Sequence, residues 1–368
     1  MTEILLHNVT RTVAPEGIRR DRAVSARGMA EGSAARYDFD TLFYEVIRHG
    51  PDLHVVAPKL LNFGPLVKRT RFAIDGQPLP RPKIRNFYRH STLRFASVPA
   101  GSVLELTFPD GQTATAPIRD AQLGLLQGLD CELILSKNDD LGWITDRLRF
   151  HVETQGVRGL VFIDNGSDAY DLDTLRDRLG GVGLDRVVLM SVPYPYGPLN
   201  RKPTGIELYL QTSVYNIARL LFLQGAGGVL CMDNDEVLIP GDRTMFDRAR
   251  AARLGFVAFH GENRYPHPDT VPPFGFTDHD HTPSPAKRAP TKWCLDPSGP
   301  LGRMQWRGHN LENNHLRRFQ TLNGTHYYHC LGITTGWKSA RRFRASDALQ
   351  RDPKTERFWQ GTFAPALR

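Results

Sequence analysis

The amino-acid sequence predicts an α/β protein in which a mostly parallel sheet is flanked by helices, with an additional N-terminal β-rich domain. From Cys131 onward, short apolar runs that are typical of buried strands alternate with stretches of helical periodicity. Residues 91–118 instead alternate apolar and polar residues between Pro-Ala-Gly and Pro-Asp-Gly turn signals, which is typical of antiparallel strands. The length of 368 residues, with 40% apolar residues, indicates about two globular domains.

The elements of the predicted α/β domain follow one another in a regular order. Its predicted strands are the runs CELILS, GLVFID, RVVLMS and GGVLCMD. A helix after the first strand places Ile144, Leu148 and Val152 on one face. A second helix, ahead of the last strand, has apolar residues at helical spacing, namely Ile206, Leu210, Val214, Ile217 and Leu221. This alternation predicts parallel strands joined by crossover helices.

Charge and composition divide the chain into three predicted segments. These are the β-rich domain at residues 1–125, the α/β domain at 126–340 and a basic extension at 341–368. The net charge of +8 is uneven, because residues 51–100 hold nine Lys/Arg and two acidic residues, and residues 301–368 hold twelve and four. Such basic flanks could meet nucleic acid, an anionic membrane or a phosphorylated substrate, and a solvated basic face without a partner is the alternative.

No feature of the sequence predicts a membrane span or a nucleic-acid partner. No apolar run approaches the ~18 residues that a spanning helix needs, and the N-terminus is too charged for a signal peptide. There is no RNP-like motif or zinc finger. We therefore expect a cytoplasmic protein, with a peripheral contact at the inner face of the membrane through the basic flanks as a further option. The four cysteines are far apart, which predicts buried free thiols.

Polar residues follow three of the predicted strands. The run LSKNDD ends the first strand ahead of a helix, FIDNGSD ends the second, and CMDNDEVLIP contains the end of the last. Taken alone, the first is typical of a helix N-cap and the second of a turn. Together and in this order they indicate a ligand site, because open α/β sheets bind ligands at the carboxyl ends of their strands.

The third run carries a cluster of carboxylates, Asp233, Asp235 and Glu236. In an extended segment side chains two apart point the same way, so we expect Asp233 and Asp235 to bind one Mg²⁺ or Mn²⁺ ion, which oxygen ligands suit, or one ion together with the ribose. Glu236 should then point the other way, bracing the motif or binding the acceptor. The structural alternative is a strand end with three solvated carboxylates.

The runs SKNDDLGWITDRLRFHVETQGVRGLVFIDNGSD and QTSVYNIARLLFLQGAGGVLCMDNDEVLIP resemble the GT-A glycosyltransferases, and within them the family 92 or DUF23-like group and related family 2 enzymes. The resemblance covers about residues 130–338. It implies a nucleotide-sugar donor bound by the first half of the sheet and a divalent metal at the DXD motif. It also implies that Asp164, with Asn165 in the same turn, contacts the base, and that Lys137 and Asn138 line the nucleotide.

Later parts of the chain add further candidate residues. His309 is the better candidate for a third metal ligand and His329 the second, because Cys330 stands where the family pattern has tyrosine. Lys292 and Lys338 are expected to balance diphosphate charge. The catalytic carboxylates are Asp235 and Glu236 at the motif, and the base near the acceptor is left open among Glu262, Asp269, Asp278 and Glu312. The loop at residues 261–290, rich in Pro, His and Asp, is expected on the acceptor side.

The sequence thus predicts a metal-dependent glycosyltransferase that moves a sugar, UDP-linked, to a saccharide of a surface or capsular glycan. Inversion at the anomeric carbon is implied by the resemblance alone. Two other function classes stay open. A metal-dependent phosphohydrolase or nucleotidyltransferase would also use clustered carboxylates, although SKNDDLGW lacks the Gly-rich phosphate loop of the latter. A noncatalytic carbohydrate-binding assembly protein could use the β-rich domain.

Overall fold

The structure, a computed structural model, describes residues 2–198, 205–336 and 349–367. The strands before residue 125 are β1 (Glu3–Asn8), β2 (Thr12–Val13), β3 (Thr41–Phe43), β4 (Val46–His49), β5 (Asp52–Pro58), β6 (Arg71–Ile74), β7 (Gln77–Pro78), β8 (Lys83–Asn86), β9 (His90–Phe95), β10 (Val103–Thr107) and β11 (Thr113–Asp120). The later strands are β12 (Asp130–Ser136), β13 (Gly159–Asp164), β14 (Arg186–Ser191), β15 (Gly228–Cys231), β16 (Glu236–Leu238), β17 (Phe256–Arg264), β18 (His281–Pro283), β19 (Lys292–Leu295), β20 (Trp306–Arg307), β21 (Asn310–Leu311), β22 (Thr321–Cys330) and β23 (Leu349–Arg351).

Helices cover the sheets and connect their strands. The α-helices are α1 (Phe63–Arg69), α2 (Leu141–Gln155), α3 (Leu172–Gly180), α4 (Tyr209–Leu221), α5 (Met245–Ala251), α6 (Pro353–Phe358) and α7 (Ala364–Ala366). Helix α2 shows ordinary capping at both ends. The carboxylate of Asp140 accepts from the amides of Gly142 and Trp143 at the start of α2, and Gly156 ends that helix with a φ of +70°. None of the helices in the described residues is long and apolar enough to cross a membrane.

The larger sheet has the strand order β1-β14-β13-β12-β15-β19-β17-β22-β16. The first five strands in this order are parallel, whereas β19 is antiparallel to both of its neighbours and β16 closes the far edge antiparallel to β22. The predicted α/β fold with a mostly parallel sheet is thereby confirmed. Strand β1 pairs with β14 although it precedes the predicted boundary at residue 125. It is the edge strand of the larger sheet, and its short apolar run does not differ from the strand patterns of the β-rich segment.

The smaller sheet has the order β7-β6-β10-β11-β4-β5-β9-β8 and encloses its own apolar core. Strands β10 and β11 form the antiparallel hairpin that the turn signals predict. Helix α4 lies between the two sheets and is buried along its whole length. Its residues Leu210 and Val214 share one core cluster with Ile47 and Val56 of the smaller sheet. Because the helix is buried on all sides, its polar residues are buried together with its apolar ones, among them Ser213, Asn216 and Arg219.

Strand β12 is the point in the sheet at which the strand order reverses. Strands β13 and β14 extend the sheet on one side of β12, and β15 lies on the other side. The loops that leave β12 and β15 at their carboxyl ends border this point of reversal, the position at which open α/β sheets have their ligand-binding crevice. The two loops are tied together by one hydrogen bond of 2.8 Å, from the side-chain amide of Asn234 to the carboxylate of Asp139.

The described part of the C-terminal segment packs on α2. Strand β23, helix α6 and the π-helix at Trp359–Phe363 bring three aromatic residues onto Phe150 and Phe276, namely Phe358, Trp359 and Phe363. The indole of Trp359 donates to the carbonyl of His279 at 2.9 Å. This segment therefore covers one side of the sheet and holds the loop that carries His279.

Candidate functional site

The acidic run after β15 forms a tight turn. The amide of Glu236 donates to the carbonyl of Asp233 at 3.2 Å, and the carboxylate of Glu236 accepts from the amide of Asp233 at 2.8 Å. The expectation that Glu236 points away from the aspartates is therefore wrong, because the alternation of side chains in an extended strand does not hold through a turn. All residues from Asp233 to Glu236 are buried, so the alternative of three solvated carboxylates is also wrong.

Two carboxylates of this turn meet a histidine from a distant strand. One ligand atom each from Asp235, Glu236 and His329 lies within 4.8 Å of the others. Strand pairing brings them together, since Glu236 of β16 is directly opposite His329 of β22. The imidazole Nε2 lies 3.2 Å from Asp235 Oδ2, and its Nδ1 lies 2.9 Å from the side-chain oxygen of Asn263. Hydrogen bonding at the second ring nitrogen is typical of histidines that bind metals.

The donor set of these three residues fits a divalent cation. Two carboxylates and one imidazole suit Mn²⁺, which accepts nitrogen as well as oxygen, and the carboxylates alone suit Mg²⁺. His329, rather than His309, lies at the acidic turn, so the preference for His309 as third ligand is wrong. That preference rested on the apparent strand before His309 and on Cys330 in the place of the family's tyrosine, and neither feature shows the pairing of β16 with β22.

Lys292 at the start of β19 is the cation of the cluster. Its ammonium binds the Asp233 carboxylate and lies 2.9 Å from Glu236 Oε2. Burial disfavours the charged ammonium, but the two carboxylates outweigh it and raise the pKa of Lys292 above its ordinary value. Burial, opposed by Lys292 and reinforced by Asp233 and Asp235, raises the pKa of Glu236. Asp233 thus pairs with Lys292, and an ion at Asp235 and His329 would share Glu236 with that ammonium.

A fully buried charge network lies beneath the turn. Arg147 of α2 donates to the carbonyl of Glu236 at 2.7 Å and also binds the carboxylate of Glu132 in β12. His151 joins the same carboxylate at 3.3 Å and accepts from the amide of Leu238 at 3.1 Å. Burial would raise the pKa of Glu132, but the charges and hydrogen bonds of Arg147 and His151 lower it to about 2. Sequence reasoning missed these residues, because α2 shows them only as polar positions in a helical pattern.

The Asp164 turn after β13 is held by its own side chain. Asp164 is buried, and its carboxylate accepts from the amides of Gly166 and Ser167 at 3.0 Å and from the Ser167 hydroxyl at 2.5 Å. The amide of Asn165 donates to the carbonyls of Val192 and Tyr194 at 2.7 and 2.8 Å. Both residues therefore shape the crevice rim, and contact with a base stays a prediction.

The loop after β12 is joined to the Asp164 turn by Asn138. With a φ of +58°, Asn138 accepts from the amides of Asp168 and Ala169 at 2.8 and 3.1 Å, and its own amide group donates to the Asp168 carboxylate at 2.7 Å. The carbonyl of Lys137 accepts from the Thr335 hydroxyl at 3.2 Å. The structure thus brings the two predicted nucleotide loops together at one edge of the sheet. Lys338 lies outside the described residues.

The remaining candidate residues lie elsewhere in the fold. The Glu262 carboxylate binds Thr325 at 2.5 Å and Arg264 at 2.7 Å, and Glu312 accepts from the amide of Tyr88 at 3.0 Å. Asp278 caps the amide of Gly275 at 2.7 Å. Asp269 is exposed. These carboxylates are engaged in structural contacts or in solvent, and the choice of a base among them stays open.

A cationic cavity of about 640 Å³ opens beside the acidic turn. Five arginines and three histidines line it together with small polar residues, and no carboxylate is among its lining residues in the described chain: Arg89, Arg288, Arg307, Arg317, Arg318, His260, His309 and His315. His309 belongs to this cavity, with its Nδ1 3.2 Å from the carbonyl of Thr291. The basic content of residues 301–368 was the signal for this cavity, but the partners from residues 89, 260 and 288 could not be placed from the sequence.

Comparisons with known proteins give limited information. No family model and no curated protein matches the chain. Similar solved structures include the mannosyltransferase Ktr4p from S. cerevisiae in complex with GDP, at 15% identity over 39% of this chain and 42% of that chain, with a TM-score of 0.26. S. aureus TarS in complex with UDP matches at 11% identity over 55% and 60%, with a TM-score of 0.31. GalNAc-T7 with UDP, GalNAc and Mn²⁺ matches at 13% identity over 52% and 40%, with a TM-score of 0.26. The matched part is therefore less than two thirds of each of those chains, and at these TM-scores the likeness decides neither fold nor activity.

Proposed function

We propose that this protein transfers a sugar from a nucleotide-sugar donor, UDP-linked, to a saccharide acceptor with the help of a divalent cation. One observation carries the proposal. The buried carboxylates of Asp235 and Glu236 converge with His329 directly after β15, beside the crevice where the strand order reverses at β12. That crevice is where an open α/β sheet binds a nucleotide. A cation site at its rim suits a substrate that carries a diphosphate.

The residues of the site have separate proposed roles. Asp235 and His329 would hold Mn²⁺ or Mg²⁺, with Glu236 shared between the ion and Lys292. When bound, such an ion stabilises the negative charge that grows on a departing nucleoside diphosphate. Lys292 binds the carboxylates of Asp233 and Glu236 and holds them in place, and Arg147 holds the turn through the Glu236 carbonyl. These contacts fix the carboxylates before a donor binds.

The crevice rim would bind the nucleotide. The loop at Lys137–Asp140 and the turn at Asp164–Ser167 are joined through Asn138 and therefore form one surface. A nucleotide on this surface would have its diphosphate next to the acidic turn, because Asn234 of that turn is bonded to Asp139. Lys338, Asn165 and Lys137 remain proposed contacts. The acceptor base remains open among Glu262, Asp269, Asp278 and Glu312.

The finer parts of the proposal rest on the sequence, in part on its resemblance to GT-A glycosyltransferases. They are a transferase domain at residues 126–340, a β-rich accessory domain before it, inversion at the anomeric carbon and a surface or capsular glycan as acceptor. Location in the cytoplasm, with contact to the inner face of the membrane through the basic flanks, belongs to the same set. Each of these statements is independent of the proposed metal and nucleotide site, so each can be wrong while the site is right.

Calorimetric titration of UDP tests the proposal, with Mn²⁺ present or replaced by EDTA. We expect UDP to bind only with the cation, and GDP to bind more weakly. A screen of nucleotide-sugar hydrolysis should then show release of UDP from one donor. Metal-dependent cleavage of simple phosphate esters without UDP binding would favour a phosphohydrolase. If the protein neither binds a nucleotide nor hydrolyses a nucleotide sugar, the transferase proposal is contradicted and the carbohydrate-binding alternative remains.

A further inference from the structure

The cationic cavity combines residues from distant parts of the chain. Arg89 comes from the β8–β9 hairpin of the smaller sheet, Arg307 from β20, and Arg317 with Arg318 from the 3-10 turn ahead of β22. The hairpin is anchored on both sides of Arg89. The amide of Tyr88 donates to Glu312 at 3.0 Å, and the imidazole of His90 lies 3.0 Å from the side-chain oxygen of Gln305. The smaller sheet thereby contributes directly to a cavity of the larger one.

The positive charges of this cavity are mostly uncompensated. Arg307 lies 3.5 Å from Glu312, whereas the other four arginines form no ion pair with any described residue. The Nε of Arg89 is buried and has no hydrogen-bond partner in the described chain. Burial and the nearby charge of Arg307 lower the pKa of Arg89. Like charges held together in this way cost stability unless an anion is bound among them.

The cavity lies beside the acidic turn, on the side opposite the nucleotide loops. Its lining residue Thr291 directly precedes Lys292, which binds Asp233 and Glu236. The carbonyl of Gly308, also in the lining, is 3.9 Å from the Cys231 sulfur at the end of β15. The loops of β12 and β13 lie across β15 from β19. A group in this cavity therefore lies on the side of the acidic turn that is away from the proposed nucleotide loops.

We propose that this cavity binds a phosphate group of the acceptor, so that the acceptor is a phosphorylated saccharide or polyol rather than a neutral sugar. That the bound molecule is an acceptor rests on the proposed function. That it carries a phosphate group rests on the cavity alone. Guanidinium groups bind phosphate oxygens through paired hydrogen bonds, and four arginines that form no ion pair within the described residues exceed what a single carboxylate would neutralise. A concave cavity of about 640 Å³ has the size of a small-molecule site rather than of a nucleic-acid surface.

Titration of glucose 6-phosphate, with glucose as the neutral probe, tests this site. The test variant is Arg288→Gln with Arg317→Gln, and the matched control is Arg119→Gln with Arg178→Gln, two exposed arginines outside the cavity. We expect the parent to bind the phosphorylated probe more tightly than glucose. The affinity should fall at least about tenfold in the cavity variant and stay unchanged in the control. UDP binding with Mn²⁺, measured on the same proteins, should be the same in all three.

The outcomes separate this inference from the proposed function. Equal affinity for glucose and glucose 6-phosphate, or equal losses in the two double variants, would overturn the phosphate site. Competition between the probe and UDP, with loss of UDP binding in the cavity variant, would overturn it by assigning the cavity to the donor. If the parent protein binds glucose 6-phosphate but does not bind UDP, the phosphate site is supported and the transferase proposal fails.

Discussion

Asp235 is the residue on which the proposed cation site depends most. Its carboxylate meets His329 at 3.2 Å and belongs to the one carboxylate and histidine group of metal-binding geometry found in the described residues. Asp233, two positions earlier, is already bound by Lys292. The two aspartates of the DND run are therefore not equivalent, and a substitution at Asp235 should act on the ion more directly than one at Asp233.

The substitution Asp235→Asn tests this role. It keeps the size of the side chain but removes one charge, so cation-dependent donor turnover should fall at least about a hundredfold, the loss typical of deleting one electrostatic stabiliser. The metal-free variant should melt slightly higher than the parent, because repulsion with Asp233 and Glu236 is relieved. Added Mn²⁺ should raise the melting temperature of the parent more than that of the variant.

Asp177→Asn is the control for this comparison, since Asp177 is 77% exposed on α3. It should leave turnover and the response to Mn²⁺ unchanged. A parent protein whose melting and turnover are indifferent to both EDTA and Mn²⁺ would rule out the cation site.

Among the elements, helix α2 supports the site from below. Its buried residues Arg147 and His151 meet Glu132 of β12, while Arg147 also reaches the Glu236 carbonyl. The helix thus links the central strand of the sheet to the acidic turn. Arg149, two residues from Arg147, is exposed and lies outside this network.

The substitution Arg147→Met should lower the free energy of unfolding by about 3–5 kcal/mol, because the buried Glu132 carboxylate loses its main partner. Unfolding in guanidinium chloride measures this loss. Arg149→Met, on the same helix, is the matched control and should change stability by less than about 0.5 kcal/mol. Adding Glu132→Leu to Arg147→Met should recover much of the loss, since no charge is then buried unpaired. Equal effects of the two arginine substitutions would show that the network is not needed for stability.

At the scale of the whole molecule, two buried histidines join distant parts of the chain. His90 connects the smaller sheet to Gln305, and His279 accepts from the amide of Gly332 at 2.9 Å while its Nδ1 lies 2.9 Å from the carbonyl of Gly275. Burial lowers the pKa of both imidazoles to about 4, although the hydrogen bonds to Gln305 and Gly275 oppose the shift. Both side chains are therefore neutral in the folded protein at neutral pH.

These pKa shifts predict a loss of stability in mild acid. The ordinary pKa is 6.5 and the folded value about 4, so the unfolded chain binds more protons between these values. The contribution is fully present above pH 6.5 and is lost as the pH falls towards 4, with a slope of up to about 1.4 kcal/mol per pH unit for each histidine. Unfolding at several pH values should show a shallower slope in His90→Gln. The partly exposed His267 is the control, and an equal change of slope in His267→Gln would contradict the assignment.

The sequence by itself determined the order of strands β12 to β15 with helices α2 and α4, and the polar loops that follow three of these strands. The element order depends on local periodicity, which the sequence shows directly. The polar loops lie together because the carboxyl ends of parallel strands are at the same edge of a sheet, in whatever order the strands are arranged. For this reason the loops at Asn138 and Asp164 and the acidic run at Asp235 could be predicted to lie on one side of the sheet. Their contacts through Asn138 and Asn234 agree with that placement.

Only the tertiary structure decided which side chains meet. Glu236 turns back because its backbone forms a turn, which no period-two pattern reveals. His329 reaches the acidic turn through the pairing of β16 with β22, and Lys292 reaches it from 59 residues away along the chain. The arginine cavity likewise joins Arg89 of one sheet to Arg317 beside the other. Strand order and register set such contacts, and they depend on the packing of the entire chain rather than on the spacing of residues within one segment.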